Sequence, residues 1–528
     1  MMLILTLLAC KRERANFPPD DTGVELTSTN LPIVWIEVGA RDIDRYRRID
    51  ARMKIIDNGP GNLNYADTVA HPGQRIDYAG HIALRYRGNS TYNDSPKKPY
   101  SFRTMDGTLK YGSKKKVKIL GMGKDDNWAL MAPYSDKSMM RDMLTYELMR
   151  PWMEYTPQGR YCEVFLNGTY YGVYILCEVV SKGKHRLNLD KPGKHGDALT
   201  GDYLMEVDCN DEPTYTSHYH PVSSKGVPYK DKVILFQYKS PDLEELNERQ
   251  LAYINGRINQ MEAAFASPGY RDPQAGYRRY IDVASFIDYQ LATELGHNVD
   301  GYRLSGKFYK RRDAIDGRFK MVIWDTNLAY GNTKNCDGWR TDTWIYQSND
   351  VLYGAGEVYL VPFWWYRLNS DPDYVAAVKA RWAQMRAANL SESRIMATVD
   401  SLANLLTSHG AEARNSQAWP RWGVWVWPNY YVSTSYDDEI RYIKDWLVKR
   451  IKWLDGMFRY TPPEPPPTYE QGDVDGDGQA SIADVNVIVD ILLGGVYDKE
   501  VRVRADVDND QEITVSDVTY LIQLLLDK

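Results

Sequence analysis

Two stretches near the C-terminal end place oxygen-bearing side chains at the same intervals. Asp473, Asp475, Asp477, Gln479, Ser481 and Asp484 return 33 residues later as Asp506, Asp508, Asp510, Glu512, Thr514 and Asp517. Counted from the first Asp of each, side-chain oxygens fall at positions 1, 3, 5, 9 and 12, and position 7 can offer its backbone carbonyl. That is the ligand spacing of an EF-hand-like loop that wraps a calcium ion, a hard cation taking roughly six to eight oxygens. Each loop runs into an apolar helix, carried by Val485, Ile488, Val489 and Leu492 after the first and by Val518, Leu521, Ile522 and Leu525 after the second. Two matches in register predict two Ca2+ sites rather than two solvated acidic turns. Position 12 is Asp in both loops, where a full loop of this type takes a bidentate Glu, and no helix is expected ahead of either.

A second set of residues has the spacing of phosphoryl-transfer chemistry. Such a reaction asks a protein for a carboxylate near the acceptor hydroxyl, oxygen ligands for magnesium and a cation on the nucleotide phosphates. Asp300 is followed five residues later by Ser305, and Asp325 ends the apolar run Met321 to Trp324. A strand over that run would deliver the Asp325 carboxylate into a cleft. Spacing alone is weak evidence, because an Asp at a strand end is common.

The elements that must position these residues can be read from periodicity. Residues 28–130 alternate as short strands, such as Leu31 to Val38 and His81 to Arg87. A helix is predicted from Asp136 as N-cap, with Met139, Met140, Met143, Leu144 and Leu148 on its apolar face. Tyr161 to Leu176 reads as a hairpin turning at Asn167-Gly168. Ser240-Pro241 is predicted to open a helix buried through Leu243, Leu246, Ile254, Ile258 and Met261. Helices dominate from Val283 onward, and the last long one is capped by Ser435 and buried through Ile440, Ile443, Leu447, Ile451 and Leu454. Thr461 to Thr468 is a proline-rich spacer. The expected domains are therefore 1–27, 28–460, 461–471 and 472–528, in an α+β chain.

With 528 residues, 43% of them apolar, the chain can bury more than one core. Thirteen acidic and four basic residues lie from Gln471 onward, so that segment holds −9 of charge against a total of −6, and the remainder is about +3. Nothing concentrates Lys and Arg as a nucleic-acid partner would require. Met1 to Cys10 is too short to span a bilayer but reads as a truncated secretory segment ending in Leu7-Leu8-Ala9-Cys10. This motif resembles a bacterial lipobox, which implies lipidation at Cys10, membrane attachment and export to the cell envelope. Cys162, Cys177, Cys209 and Cys336 match no zinc spacing, and the sequence leaves open whether they pair. Trp419, Trp422, Trp425 and Trp427, with Tyr430 and Tyr431, read as a core cap before they read as a sugar-stacking row. His297 reads as a packed loop residue rather than a base.

Six blocks in order carry a family resemblance: Arg87-Gly88-Asn89-Ser90, Pro96 to Tyr100, Trp128 to Lys137, Phe165 to Tyr174, Asn298 to Arg303 and Ile323 to Gly331. Together they resemble the spore-coat CotH kinase family, over about Leu31 to Phe458. The resemblance implies a two-lobed, atypical protein-kinase-like body that uses ATP and Mg2+ or Mn2+ to modify Ser or Thr of a surface or secreted protein. Carried over, Asp300 would be the catalytic base and Asp325 the principal metal ligand, with Asn327 and Ser305 beside it. Lys97 and Lys98 would reach the phosphates, Arg87 to Ser90 would form the turn near them, and Glu147 would pair with Lys137. Asn327 stands where the family motif usually has a second Asp, so an inactive pseudokinase serving as an adhesion or scaffold component is the alternative. The twin acidic loops, Gly472 to Lys528, resemble a dockerin type I module, a small all-α calcium-binding domain that docks on a cohesin-type partner. Its usual Ser-Thr pair is replaced here by Ile482-Ala483 and Val515-Ser516.

Overall fold

Seven strands of the first half close into a barrel. They are β1 (Ile33–Glu37), β2 (Ile49–Ile56), β3 (Ile76–Tyr86), β4 (Tyr100–Met105), β5 (Asn127–Met131), β6 (Gly159–Leu166) and β7 (Thr169–Glu178), in the order β1-β2-β3-β4-β5-β7-β6. Neighbours are antiparallel except β1 and β6, whose parallel pairing closes the ring. The computed structural model describes residues 21–462, 470–508, 510 and 512–527. Cys10 and most of the proline spacer lie outside them. The chain divides into two units, Met1–Tyr460 and Thr461–Lys528.

The predicted hairpin is β6–β7, and Asn167 and Gly168 both take positive φ, 48° and 83°, as a two-residue type I′ turn requires. The period of two then divides its side chains between two cores. Cys162, Val164, Tyr174 and Leu176 fill the barrel, while Tyr161, Ile175 and Cys177 face a second core built with Met139 to Met149. That second core belongs to a five-stranded antiparallel sheet and its helices. The strands are β8 (Tyr203–Val207), β9 (Thr214–Thr216), β10 (Leu235–Ser240), β11 (Gly306–Lys310) and β12 (Phe319–Val322), in the order β9-β10-β8-β11-β12. The principal helices are α1 (Arg141–Met149), α2 (Glu248–Ala266), α3 (Val283–Gly296), α4 (Pro372–Ala387), α5 (Glu392–Thr407) and α6 (Tyr436–Phe458). The unit is thus a mixed α+β body, as its sequence pattern indicates.

Two helix starts differ from expectation. Asp136 does not cap α1, because its carboxylate accepts from the Ser138 and Arg141 amides and from the Arg141 guanidinium, holding a turn ahead of the helix. Helix α2 begins at Glu248 rather than after Ser240, because Asn247 and Gln250 form a reciprocal capping box there. Ser435 does cap α6, accepting from the Asp438 amide. All four described cysteines are free, with Cys162 and Cys177 buried. No described helix is long and apolar enough to cross a membrane.

The second unit contains α7 (Ile482–Leu492), α8 (Lys499–Ala505) and α9 (Val515–Leu526) around Val474, Val485, Ile488, Ile491, Val507 and Leu521. Helix α8 does precede the second acidic loop, contrary to expectation. Asp498 caps it by accepting from the Val501 amide, a local signal that outweighs two β-branched valines.

One buried acid sets a pH dependence. Glu262 on α2 is fully buried with Ser217 as its hydrogen-bond donor at 2.7 Å, and burial pushes its carboxyl up to about 8. The folded state then keeps a proton that the unfolded chain releases near its ordinary value, so stability falls as pH rises from about 4.5 towards 8. Glu262→Gln is expected to remove this fall, roughly 3–4 kcal/mol between pH 5 and pH 8. Urea unfolding at pH 5 and pH 8 measures it, and equal slopes in both proteins would refute the assignment.

Candidate functional site

Helix α3 ends at Gly296 and His297 takes a left-handed φ of 47°, which turns the chain into the loop 297–305. His297 is buried and bonded to Thr343 Oγ1 at 2.9 Å, so it packs the loop. Asp300 lies inside this loop, and Ser305 leaves it with φ 58° before β11 begins. Strand β12 ends at Val322, and Asp325 follows with φ 57°. Non-glycine residues at such angles cost of order 1–3 kcal/mol each and gather where surrounding structure enforces them.

These two turns meet. Ser305 Oγ donates to Asp325 Oδ2 at 3.3 Å, and Asn298 Nδ2 donates to the Asp325 carbonyl at 3.2 Å. Asn327 Nδ2 donates to Asp325 Oδ1 at 3.0 Å. Asp300 accepts from Arg303 at 2.9 Å, and Arg303 is also paired with Glu357 at 2.8 Å. The Asp300 side chain keeps 25% of its surface exposed, which leaves it reachable by a hydroxyl. Burial pushes both carboxyls up; Arg303 opposes this at Asp300, while the Asp300 charge adds to it at Asp325. The structure therefore brings Ser305 and Asn327 onto the Asp325 carboxylate, with Asp300 near enough for its charge to act there, and the oxygens of Ser305, Asp325 and Asn327 are of the kind a hard divalent ion takes.

Two cations oppose the charge of Asp325: Arg87 and Lys307. Arg87 follows β3, its guanidinium lies 5.2 Å from the Trp324 ring, and its buried Nη1 has no hydrogen-bond partner among the described residues. Lys307 stands on β11 directly across from Glu206 on β8 and is paired with it, while Lys239 reaches the same carboxylate at 3.2 Å. Lys307 was invisible in the sequence because only cross-strand register shows its partner.

Lys97 and Lys98 are not at these carboxylates. Lys97 is fully buried, donates to Asn415 Oδ1 at 2.7 Å and to the Val173 carbonyl, and burial holds its ammonium well below the ordinary lysine range. Lys98 donates to the Tyr92 carbonyl at 2.6 Å. Glu147 pairs with Arg150 at 2.8 Å, and Lys137 donates to the Val424 carbonyl, so the expected Glu147–Lys137 pair is absent. The tryptophan segment is split. Trp419 is buried and bonded to the Tyr171 carbonyl, whereas Trp425 is 47% exposed.

Helix α1 holds the far side of the Asp325 turn. Arg141, fully buried, pairs with Asp136 at 2.6 Å and Glu439 at 2.8 Å, and donates to the carbonyls of Ala329 and Tyr330. Asp142 accepts from Thr326, and burial together with the Asp325 carboxylate pushes it up to about 7.

In the second unit, carboxylate oxygens of Asp473, Asp475 and Asp484 lie within 4.8 Å of one another, as do those of Asp506, Asp508 and Asp510. Asp484 accepts from the amides of Val474, Asp475 and Ser481 and from the Ser481 hydroxyl. Asp517 repeats this on Val507, Asp508 and Thr514. Ser481 and Thr514 cap α7 and α9. The amides of Gln479 and Glu512 donate to Asp477 and Asp510.

Arg141→Met would strand Asp136 and Glu439 as buried charges, which typically costs about 3–5 kcal/mol. A fall of that size in the urea unfolding free energy of the full chain is expected, and a change under 1 kcal/mol would rule out the proposed ionic hub.

No curated protein matches the chain. A family model described as CotH kinase protein matches residues 84–454, well over half of it, and takes in Arg87, Asp300 and Asp325. The chain belongs to the CotH kinase protein family.

Proposed function

We propose that the body is an atypical ATP-dependent protein kinase that phosphorylates Ser or Thr of a surface or secreted protein. The observation that carries this reading is the meeting of the Asp300 and Asp325 turns, bridged by Ser305. Asp300, partly exposed beside Arg303, is placed to take the proton of an acceptor hydroxyl. Asp325, Asn327 and Ser305 are the residues that would hold Mg2+ or Mn2+. Arg87 and Lys307 supply the positive charge for phosphate oxygens that the sequence reading gave to Lys97 and Lys98. Bound ATP with its metal supplies the phosphoryl group and neutralises its charge; the protein's own part is orientation and electrostatics.

A second reading is favoured by one contact. Asn327 turns its amide nitrogen to Asp325 Oδ1, so it takes up an oxygen that a second Asp would have left open to metal. A pseudokinase that binds a partner through this body fits that contact. Radiolabelled phosphate transfer from ATP to a casein acceptor separates the two. The kinase reading expects transfer lost at least about 100-fold in Asp300→Ala, a typical general-base effect, with nucleotide binding kept. It expects binding and transfer both lost in Asp325→Ala. Nucleotide binding without transfer in the wild type, or a flat thermal response to Mg-ATP, sinks the kinase reading and supports the pseudokinase scaffold.

We further propose that the second unit is a dockerin type I module with two Ca2+ ions that attaches the body to a cohesin-type partner. Export and a lipid anchor at Cys10 complete this proposal for a cell-surface protein. The support is a group of three carboxylates in each loop, Asp473, Asp475 and Asp484 in the first and Asp506, Asp508 and Asp510 in the second, each with oxygens within 4.8 Å of one another. Calcium is expected to raise the melting temperature of the full chain's second transition and EGTA to reverse it. Asp473→Ala with Asp506→Ala should abolish that shift, and a shift retained in the double variant would remove the calcium assignment.

A further inference from the structure

Helix α1 presents four successive-turn positions to the segment that begins at Asp325. The Asp142 carboxylate oxygen Oδ1 accepts from the Thr326 amide at 2.6 Å and from the Thr326 hydroxyl at 3.1 Å. One turn on, Tyr146 OH accepts from the Asp325 amide at 3.3 Å. Arg141 holds the carbonyls of Ala329 and Tyr330, and Thr145 Oγ1 bonds Tyr330 OH at 2.9 Å. Asp142, Tyr146 and Thr326 are all buried. The backbone amides of Asp325 and Thr326 are therefore spent on the helix, and this leaves the Asp325 carboxylate facing Ser305 and Asn327.

From this geometry we infer that Asp142 and Tyr146 are positioning residues for the Asp325 turn, fixing the left-handed conformation that aims its carboxylate at a nucleotide-bound metal. The inference rests on the kinase-like reading of Asp325. It assigns Asp142 a hydrogen-bonding task through Thr326 and no contact with metal. Asp325 needs φ 57°, which an Asp adopts at a cost, and backbone amides captured from behind are what hold it there. A free turn would relax toward ordinary angles and swing the carboxylate away from Ser305. An error of about 1 Å in a positioned group is enough to lose much of its effect.

The test uses the full chain with calcium saturating the acidic loops, and a fluorescent anthraniloyl-ATP with Mg2+ as probe. Asp142→Ala removes two hydrogen bonds, and affinity is expected to fall about tenfold, since each net bond is worth roughly 0.5–1.5 kcal/mol. Asp142→Asn places a carbonyl oxygen at Oδ1 and should bind within about twofold of the wild type. Tyr146→Phe creates no cavity and should lose about threefold, which keeps the test alive if Asp142→Ala folds poorly. The unfolding midpoint without nucleotide should be unmoved in Asp142→Asn and should fall slightly in Tyr146→Phe, which leaves the Asp325 amide without its acceptor; rescue of probe affinity by Asp142→Asn relative to Asp142→Ala separates the hydrogen-bonding task from the charge. Wild-type affinity in both Asp142→Ala and Tyr146→Phe overturns the inference, and so does an Asp142→Asn variant as weak as alanine, which would mean that charge matters. Loss of probe binding in the wild type itself would remove the reading of Asp325 and this inference with it.

Discussion

A single buried guanidinium organises the body. Arg141 has no exposed side-chain surface, and it joins Asp136, Glu439 on α6 and the carbonyls of Ala329 and Tyr330. Burial works against its charge, and the two carboxylates more than restore it. A lysine could not replace it, because only the planar fork of guanidinium donors meets several acceptors in fixed directions. Such a cluster adds little net stability over an apolar one, yet removing one member is expensive. Its value here is register. The start of α1, the start of α6 and the segment after Asp325 share one point, so their relative placement is set.

That register bears directly on the site. Burial disfavours the charge of both Asp300 and Asp325, and left-handed φ at Ser305 and Asp325 adds local backbone cost. Both features oppose folding and must be offset by contacts elsewhere. The offsets are identifiable: Arg303 beside Asp300, Arg87 and Lys307 near Asp325, and α1 behind the turn. The strained and desolvated groups lie where the two halves of the body meet around the β6–β7 hairpin and α1. There the second core takes side chains from the outer face of the barrel.

The sequence made some of this legible and hid the rest for definable reasons. Local signals were reliable where the chemistry was local. Asn167-Gly168 has the residue types a tight hairpin needs, and Ser435 precedes a long amphipathic run. The acidic loops repeat, and in each of them three Asp carboxylates gather. The α1 start was misplaced because Asp136 is as good an N-cap by type as by position, but its oxygens are taken by Arg141. Lys97 and Lys98 were given to phosphate by the family resemblance alone. Here the first is sealed against Asn415 from a helix more than 300 positions away, a contact no local pattern announces. Lys307 and Glu206 are a hundred residues apart and become neighbours only through sheet register.

The same device recurs in both units and explains why acidic residues are hard to assign from sequence. In each, one buried Asp accepts from backbone amides and so shapes a turn that carries another Asp. Asp484 and Asp517 shape the two acidic loops, as Asp142 shapes the Asp325 turn. All three sit in the first turn of a helix, where the helix dipole favours negative charge and the carboxylate can also reach back to preceding or distant amides. An anchoring Asp and an Asp open to a ligand have identical side chains, so residue type alone does not separate them. At Asp484 four hydrogen bonds are accepted, from the Val474, Asp475 and Ser481 amides and the Ser481 hydroxyl, so this one carboxylate ties the start of its loop to the start of α7.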